Sequence, residues 1–143
     1  MDWVTSIHQA IQYIEEHLRE ELTIREIAQQ AALSPFYFQK GFAMLCGMTV
    51  GDYIRQRRPS AAGLEVLTPD RKIIDIALEF GYDSPDSFTK AFARFHGLTP
   101  AALRKGGGAV CSFAPLRIKV TLEGGQNMDC KIMKKEAFTV LCR

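Results

Sequence analysis

Ser34-Pro35-x-x-Phe38-x-Lys40-x-Phe42-Ala43-x-x-x-Gly47-x-Thr49 returns along the chain as Ser84-Pro85-x-x-Phe88-x-Lys90-x-Phe92-Ala93-x-x-x-Gly97-x-Thr99. Eight of the sixteen positions in 34–49 are identical between the copies, with no gap. Each copy carries its own helix boundaries. Ser34 and Ser84 suit the N-cap, where a hydroxyl accepts from a free backbone N–H, and Pro35 and Pro85 suit the first helical position, where a missing N–H costs nothing. Phe38, Phe42 and Leu45, and in the second copy Phe88, Phe92 and Phe95, recur at helical steps and mark a buried face. Gly47 and Gly97 supply the left-handed residue that closes a helix. An Ile-Ala pair precedes each copy, Ile27-Ala28 and Ile76-Ala77. Helix, short turn, capped helix is the helix-turn-helix pattern, here present twice.

The rest of the chain up to about residue 105 is also helical in pattern. Ile7, Ile11, Ile14 and Leu18 form one apolar face, with Glu15, Glu16, Arg19 and Glu20 largely covering the other sides. Thr23 and Glu26 have capping-box spacing at the start of the next helix. Thr49 and Asp52 open a long helix running towards Leu67, and Thr68-Pro69-Asp70 is a turn. Thr99-Pro100 begins a last short helix to Lys105. Two residues inside the long helix oppose it. Pro59 removes a donor and crowds the carbonyl of Arg55, at about 3 kcal/mol. Gly63 costs a further ~1 kcal/mol. The sequence predicts a kink or break near Arg58. Gly106-Gly107-Gly108 reads as a linker, and Arg117 to Leu122 alternates as a strand does.

Composition sets the class. The chain has 143 residues, 47% hydrophobic and 24% charged, as in ordinary globular proteins. Residues 1–107 carry 12 Lys or Arg against 13 Asp or Glu, and the tail carries 6 against 3. Overall charge therefore does not identify a partner, and placement decides. From Phe36 to Ser60 the cations Lys40, Arg55, Arg57 and Arg58 face only Asp52; from Ser84 to Lys105 the cations Lys90, Arg94, Arg104 and Lys105 face only Asp86. No stretch has the length of a membrane span, and the start lacks a basic-then-apolar leader, which predicts a cytoplasmic, nucleoid-associated protein. The four cysteines lack C-x-x-C spacing and do not cluster with the three histidines, which predicts free thiols and no metal. No G-x-S-x-G, P-loop or H-E-x-x-H is present, so neither an enzyme nor a cofactor is expected.

Two such units have a steric reason. A helix fits the major groove of B-DNA, where base edges are distinguishable. Two units on one chain reach two successive grooves, about 34 Å apart, without a dimer. These residues resemble the AraC/XylS family of transcription regulators over roughly Ile7 to Lys105. The most specific stretch is Ile73-Ile74-Asp75-Ile76-Ala77-Leu78-Glu79-Phe80-Gly81-Tyr82-Asp83-Ser84, continued by Phe88, Phe92, Phe95, Gly97 and Thr99-Pro100. The single-chain layout is similar to the MarA, SoxS and Rob group.

The resemblance implies an all-α DNA-binding domain at 1–105. Unit one would span about 7–48, a linker helix 50–67 and unit two about 72–105. A glycine linker at 106–108 would precede the start of a GyrI-like effector domain at 109–143. Thirty-odd residues fall far short of that domain's usual extent, which implies a shortened product with no complete effector pocket. A small-molecule effector is expected only if that domain were complete. The expected function is sequence-specific binding of double-stranded promoter DNA as a monomer, as an activator that engages RNA polymerase. The alternatives are a shortened effector-binding regulator and a non-specific architectural DNA-binding protein.

Carried over by position, the base-reading face is Phe36, Gln39 and Lys40 in the first unit and Asp86, Ser87 and Lys90 in the second. The spacing of Phe36 and Lys40, one turn apart and opposite Phe38 and Phe42, agrees. Gln39 suits adenine, Lys40 guanine and Phe36 a thymine methyl. Arg55, Thr89 and Arg94 are candidates for phosphate. Each has a plain alternative: a solvated surface for Gln39, Lys40, Ser87 and Lys90, a surface staple for Phe36, a salt-bridged surface for Arg55, Thr89 and Arg94. Asp86 would be repelled by phosphate and suits the helix N-terminus.

Overall fold

The computed structural model describes residues 2–106, 108–123, 129–135 and 138–139, with side chains as far as Arg117. Seven helices stand among them: α1 Trp3–Glu16, α2 Ile24–Gln30, α3 Pro35–Cys46, α4 Val50–Val66, α5 Ile73–Glu79, α6 Pro85–His96 and α7 Pro100–Arg104. Four strands follow as two antiparallel pairs: β1 Ser112–Phe113 with β4 Phe138–Thr139, and β2 Arg117–Glu123 with β3 Asp129–Lys135. No helix among the described residues is long and apolar enough to cross a membrane.

Most helix starts have a side-chain cap; α5, which begins after Lys72, has none. Ser34 Oγ accepts from Tyr37 N at 3.3 Å, Ser84 Oγ from Ser87 N at 3.1 Å, and Thr49 and Thr99 cap α4 and α7 in the same way. Gly47 and Gly97 close α3 and α6 at φ +73° and +81°, a conformation costly to any residue with a Cβ. The turns inside the two units differ by one residue. Residues 31–34 join α2 to α3, and residues 80–84 join α5 to α6. Both turns place a left-handed residue at the same point, Ala32 at φ +57° and Gly81 at φ +82°, so the first unit accepts strain that the second avoids. The Thr23–Glu26 spacing gives only half of a capping box. Thr23 Oγ1 accepts from Glu26 N but donates to the Glu26 carboxylate, so the carboxylate does not reach back to the backbone. The full reciprocal box is at Ser84 and Ser87.

Two cores result. The first gathers Ile7, Ile11, Ile14, Ile27, Phe38, Phe42 and Tyr53; the second gathers Ala62, Val66, Ile76, Phe80, Phe88, Phe92 and Leu103. Helix α4 contributes to both and so joins the units. A bidentate ion pair anchors it: Arg57 donates from Nε and Nη2 to Glu15 at 2.9 and 2.7 Å, and Tyr53 Oη donates to the same carboxylate at 2.7 Å. Burial opposes the charge on Arg57, but the hydrogen bonds and charge of Glu15 outweigh it and hold the guanidinium ionised. Arg58 donates to the carbonyls of Leu18 and Glu20 just past α1. A further charge network, Arg19 and Arg71 with Glu65 and Glu79, ties the end of α1 to α4 and α5. Its members are partly exposed, and such pairs contribute ~0.2–1 kcal/mol each.

The expected break near Arg58 does not occur: α4 runs as one helix from Val50 to Val66 with Pro59 buried inside it. Tertiary packing overrides the local penalty. The Pro59 carbonyl accepts from His96 Nε2 at 2.7 Å, and Ser60 Oγ accepts from Phe113 N at 2.9 Å. Gly63 also has a reason. A Cβ built there would lie 2.8 Å from Val110 Cγ1 and 2.9 Å from His96 Cε1. Gly63→Ala therefore lowers stability by about 1–3 kcal/mol through overpacking, although alanine is the better helix former. Urea unfolding of the two proteins checks this; a more stable alanine variant contradicts it.

His96 is buried and carries a pH signature. Its Nε2–H donates to Pro59 O and its Nδ1 accepts from Cys111 N at 3.0 Å, an arrangement that requires the neutral ring. Burial lowers its pKa from the ordinary 6.5, against a smaller opposing effect of the Pro59 carbonyl. The unfolded chain then binds the proton more readily. Stability is complete above about pH 6.5 and declines as pH falls towards the depressed folded value. Thermal melts at pH 7.5 and 5.5 should show this loss, and His96→Gln should reduce it. The expectation of thiols rather than disulfides holds for Cys46, which is buried. It fails for Cys111, which is disulfide-bonded. The remaining cysteines, Cys130 and Cys142, lie outside the described side chains.

Candidate nucleic-acid interface

Helices α3 and α6 present the same framework and different surfaces. Along 34–50 and 84–100 the burial sequence is nearly the same: Phe38/Phe88, Phe42/Phe92, Cys46/His96 and Val50/Pro100 are buried, while Pro35/Pro85, Phe36/Asp86, Tyr37/Ser87, Lys40/Lys90 and Met44/Arg94 are exposed. The anchors are shared because both helices must seat against a two-helix brace. The exposed positions are free to diverge.

All three expected readers of the first unit are exposed on α3, with Phe36 67% accessible. The Lys40 ammonium sits 5.9 Å from the centre of the Phe36 ring, a loose cation–π contact. Tyr37, which the sequence reading passed over, is exposed too and meets Phe36 edge-on at 5.6 Å. Its place directly after Ser34-Pro35-Phe36, out of phase with Phe38 and Phe42, was the available signal.

Asp86, Ser87 and Lys90 are exposed on α6. Lys90 Nζ lies 3.2 Å from Asp86 Oδ2, with both side chains more than 70% accessible. Asp86 stands in the first turn, where the helix dipole favours it. Ser87 is engaged in the cap, its hydroxyl donating to Ser84 O at 2.9 Å.

Among the phosphate candidates, Arg94 is exposed, Thr89 is half-buried, and Arg55 is exposed while paired with Asp52. That hydrogen bond from Arg55, and a second from Thr49, hold the Asp52 carboxyl below the usual range.

The charge count along the chain needs correction. Arg57, Arg58 and Arg104 do not belong to an outward basic surface. Arg57 is held by Glu15, Arg58 by the carbonyls after α1, and Arg104 donates to Val66 O and Thr68 O at 3.0 and 3.1 Å. Of the cations counted at 36–60 and 84–105, Lys40, Arg55, Lys90, Arg94 and Lys105 are exposed.

Comparison with known proteins agrees with this geometry. A family pattern described as "Helix-turn-helix domain" matches residues 27–106. Regulatory protein SoxS of Escherichia coli K12 is 39% identical over 98 residues, 68% of this chain and 92% of SoxS. HTH-type transcriptional activator AarP of Providencia stuartii is 36% identical over 98 residues, 68% of this chain and 73% of AarP. The DNA-binding domain of the global transcriptional factor AdpA, solved in complex with a target DNA, superposes with a TM-score of 0.63. It is 25% identical and covers 71% of this chain and 91% of its own.

Proposed function

We propose, because the chain belongs to the AraC-type family of helix-turn-helix transcription regulators, that it reads promoter DNA with α3 and α6 in two successive major grooves. As a member it is a sequence-specific DNA-binding transcription regulator. The observation that carries the two-groove mode is the pair of helices with one anchoring scheme and two different exposed faces.

That difference bears on the target. The first face offers aromatic and amide groups, Phe36, Tyr37 and Gln39, beside Lys40. The second offers Asp86, Ser87 and Thr89 beside Lys90 and Arg94. Identical units would favour a repeated half-site; these favour two unlike half-sites in a fixed order. Gln39 and Lys40 suit adenine and guanine, Phe36 a thymine methyl, and Asp86 a cytosine amino group when not paired with Lys90. Arg55, Arg94 and Thr89 would touch phosphate, which fixes position without reading sequence. Because both units lie on one chain, a monomer suffices.

Activation through contact with RNA polymerase fits the naming of AarP as an activator. Residues 109–143, with their two strand pairs, are read as the start of a GyrI-like effector domain, and the chain as acting in the cytoplasm without catalysis or cofactor. Anisotropy with a promoter duplex and a random duplex tests the reading. Affinity for the promoter should exceed the random value by at least about 10³-fold and fall steeply with added salt. Equal affinity would favour an architectural role.

A further inference from the structure

The segment after α7 does not hang free. Cys111, Phe113 and Leu116 are buried, and the segment touches both units. Phe113 and Leu116 enter the first core, where the Phe113 ring meets Tyr53 edge-on at 6.1 Å, and Val110 packs on the second core. Besides the Cys111 disulfide and the pairing of β1 with β4, the backbone is fastened to the helical units at four points. Phe113 N donates to Ser60 Oγ at 2.9 Å, Phe113 O accepts from Arg57 Nη1 at 2.6 Å, Leu116 N donates to Tyr53 Oη at 3.4 Å, and Cys111 N donates to His96 Nδ1 at 3.0 Å. His96 is the last residue of α6, and its other nitrogen donates to Pro59 O in the middle of α4. Pro59 and Gly63, which oppose a helix in the interior of α4, both sit at this junction, and Gly63 leaves room for Val110 and His96.

We propose that residues 110–116 form a strap that sets the spacing between the two reading helices, with Phe113 and His96 as its positioning residues. The proposal rests on the reading that α3 and α6 enter successive grooves. The strap acts because one stretch of chain is buried in both cores and bonded to the helix between them. Tilting α6 relative to α3 would pull Val110 from one core or Phe113 from the other and break the His96 bridge. A regulator held in this way tolerates little variation in the distance between its half-sites. Any event that lifts the strap would relax that demand.

The test uses the full chain and a duplex selected by the wild-type protein from a randomised pool. Versions of that duplex with one base pair added or removed between the half-sites are compared. Wild type should lose at least about tenfold in affinity on either change. Phe113→Ala should cut that penalty to less than about threefold, and Phe113→Leu should restore most of it. Uniform weakening on all duplexes, with the penalty intact, would overturn the proposal. If Phe113→Ala proves unfolded by circular dichroism, His96→Gln carries the same comparison. A second readout needs no DNA. Spin labels introduced as unnatural amino acids at positions 44 and 94 report the separation of α3 and α6. The strap variants should broaden that distribution, and an unchanged width would overturn the proposal. Should the wild type select no duplex at all, the DNA reading falls, and the label distances alone decide the strap.

Discussion

Replacing Lys40 and Lys90 together by glutamate should lower affinity for a selected promoter duplex by at least about 100-fold while leaving the helical signal and melting temperature nearly unchanged. A good base contact is worth about 1–3 kcal/mol, and reversing the charge adds repulsion from phosphates. Both lysines are exposed, so the fold does not depend on them. Their internal partners hold them weakly. The Lys90–Asp86 pair is a solvated i,i+4 contact, and Lys40 lies almost 6 Å from the Phe36 ring centre. Such contacts are released at little cost when DNA arrives. Each single substitution should weaken binding and alter base preference in its own half-site only. Anisotropy titrations with duplexes mutated in one half-site at a time would show this. Full affinity in the double variant would remove both helices from the reading role.

The largest effect on stability is expected from Arg57→Ala, a loss of about 3–5 kcal/mol. The Arg57 side chain is only 11% exposed and satisfies both oxygens of Glu15 and the carbonyl of Phe113. Truncation leaves a carboxylate and a carbonyl in a place poor in water. The Tyr53 hydroxyl, whose own ionisation is suppressed by burial and by the Glu15 charge, would be the remaining donor to that carboxylate. The melting temperature should fall by on the order of 15 °C. Replacing both partners, Arg57→Met with Glu15→Leu, should recover much of the loss, because the cost lies in the orphaned charge rather than in the missing pair. Thermal melts of the three proteins distinguish these outcomes. A shift within about 1 kcal/mol for Arg57→Ala would mean that water replaces the guanidinium freely.

Those two residues mark what a sequence discloses and what it hides. The exposure of Lys40 and Lys90 was legible because its signal is local: a capped helix, aromatic anchors on one side, a lysine one turn away on the other, and the whole repeated. Ser34, Pro35 and Gly47 announced α3, and Ser84, Pro85 and Gly97 announced α6, by satisfying or sparing backbone groups at helix ends. Arg57 carries the same charge as Lys40, yet its partner Glu15 is 42 residues away, and no local pattern distinguishes a buried arginine from an exposed one. Counting cations near each helix therefore overstated the basic surface. Pro59, where a kink or break was expected, lies inside one unbroken helix for the opposite reason. Its penalty is local and its accommodation is not. The packing that holds it comes from afar: its own carbonyl accepts from His96, which lies 37 residues further on. The strap left a faint trace, since Val110, Cys111, Phe113 and Leu116 are too apolar for a plain linker. Only the packing of both cores shows which element they cover.

The most direct measurement is a hydroxyl-radical and methylation footprint of the full chain on a promoter duplex. A single monomer should shield two neighbouring major grooves on one face of the double helix, centred about one helical turn apart, with Lys40→Glu and Lys90→Glu each clearing one of them. Protection of a single groove, or a pattern unaffected by either substitution, would contradict the account.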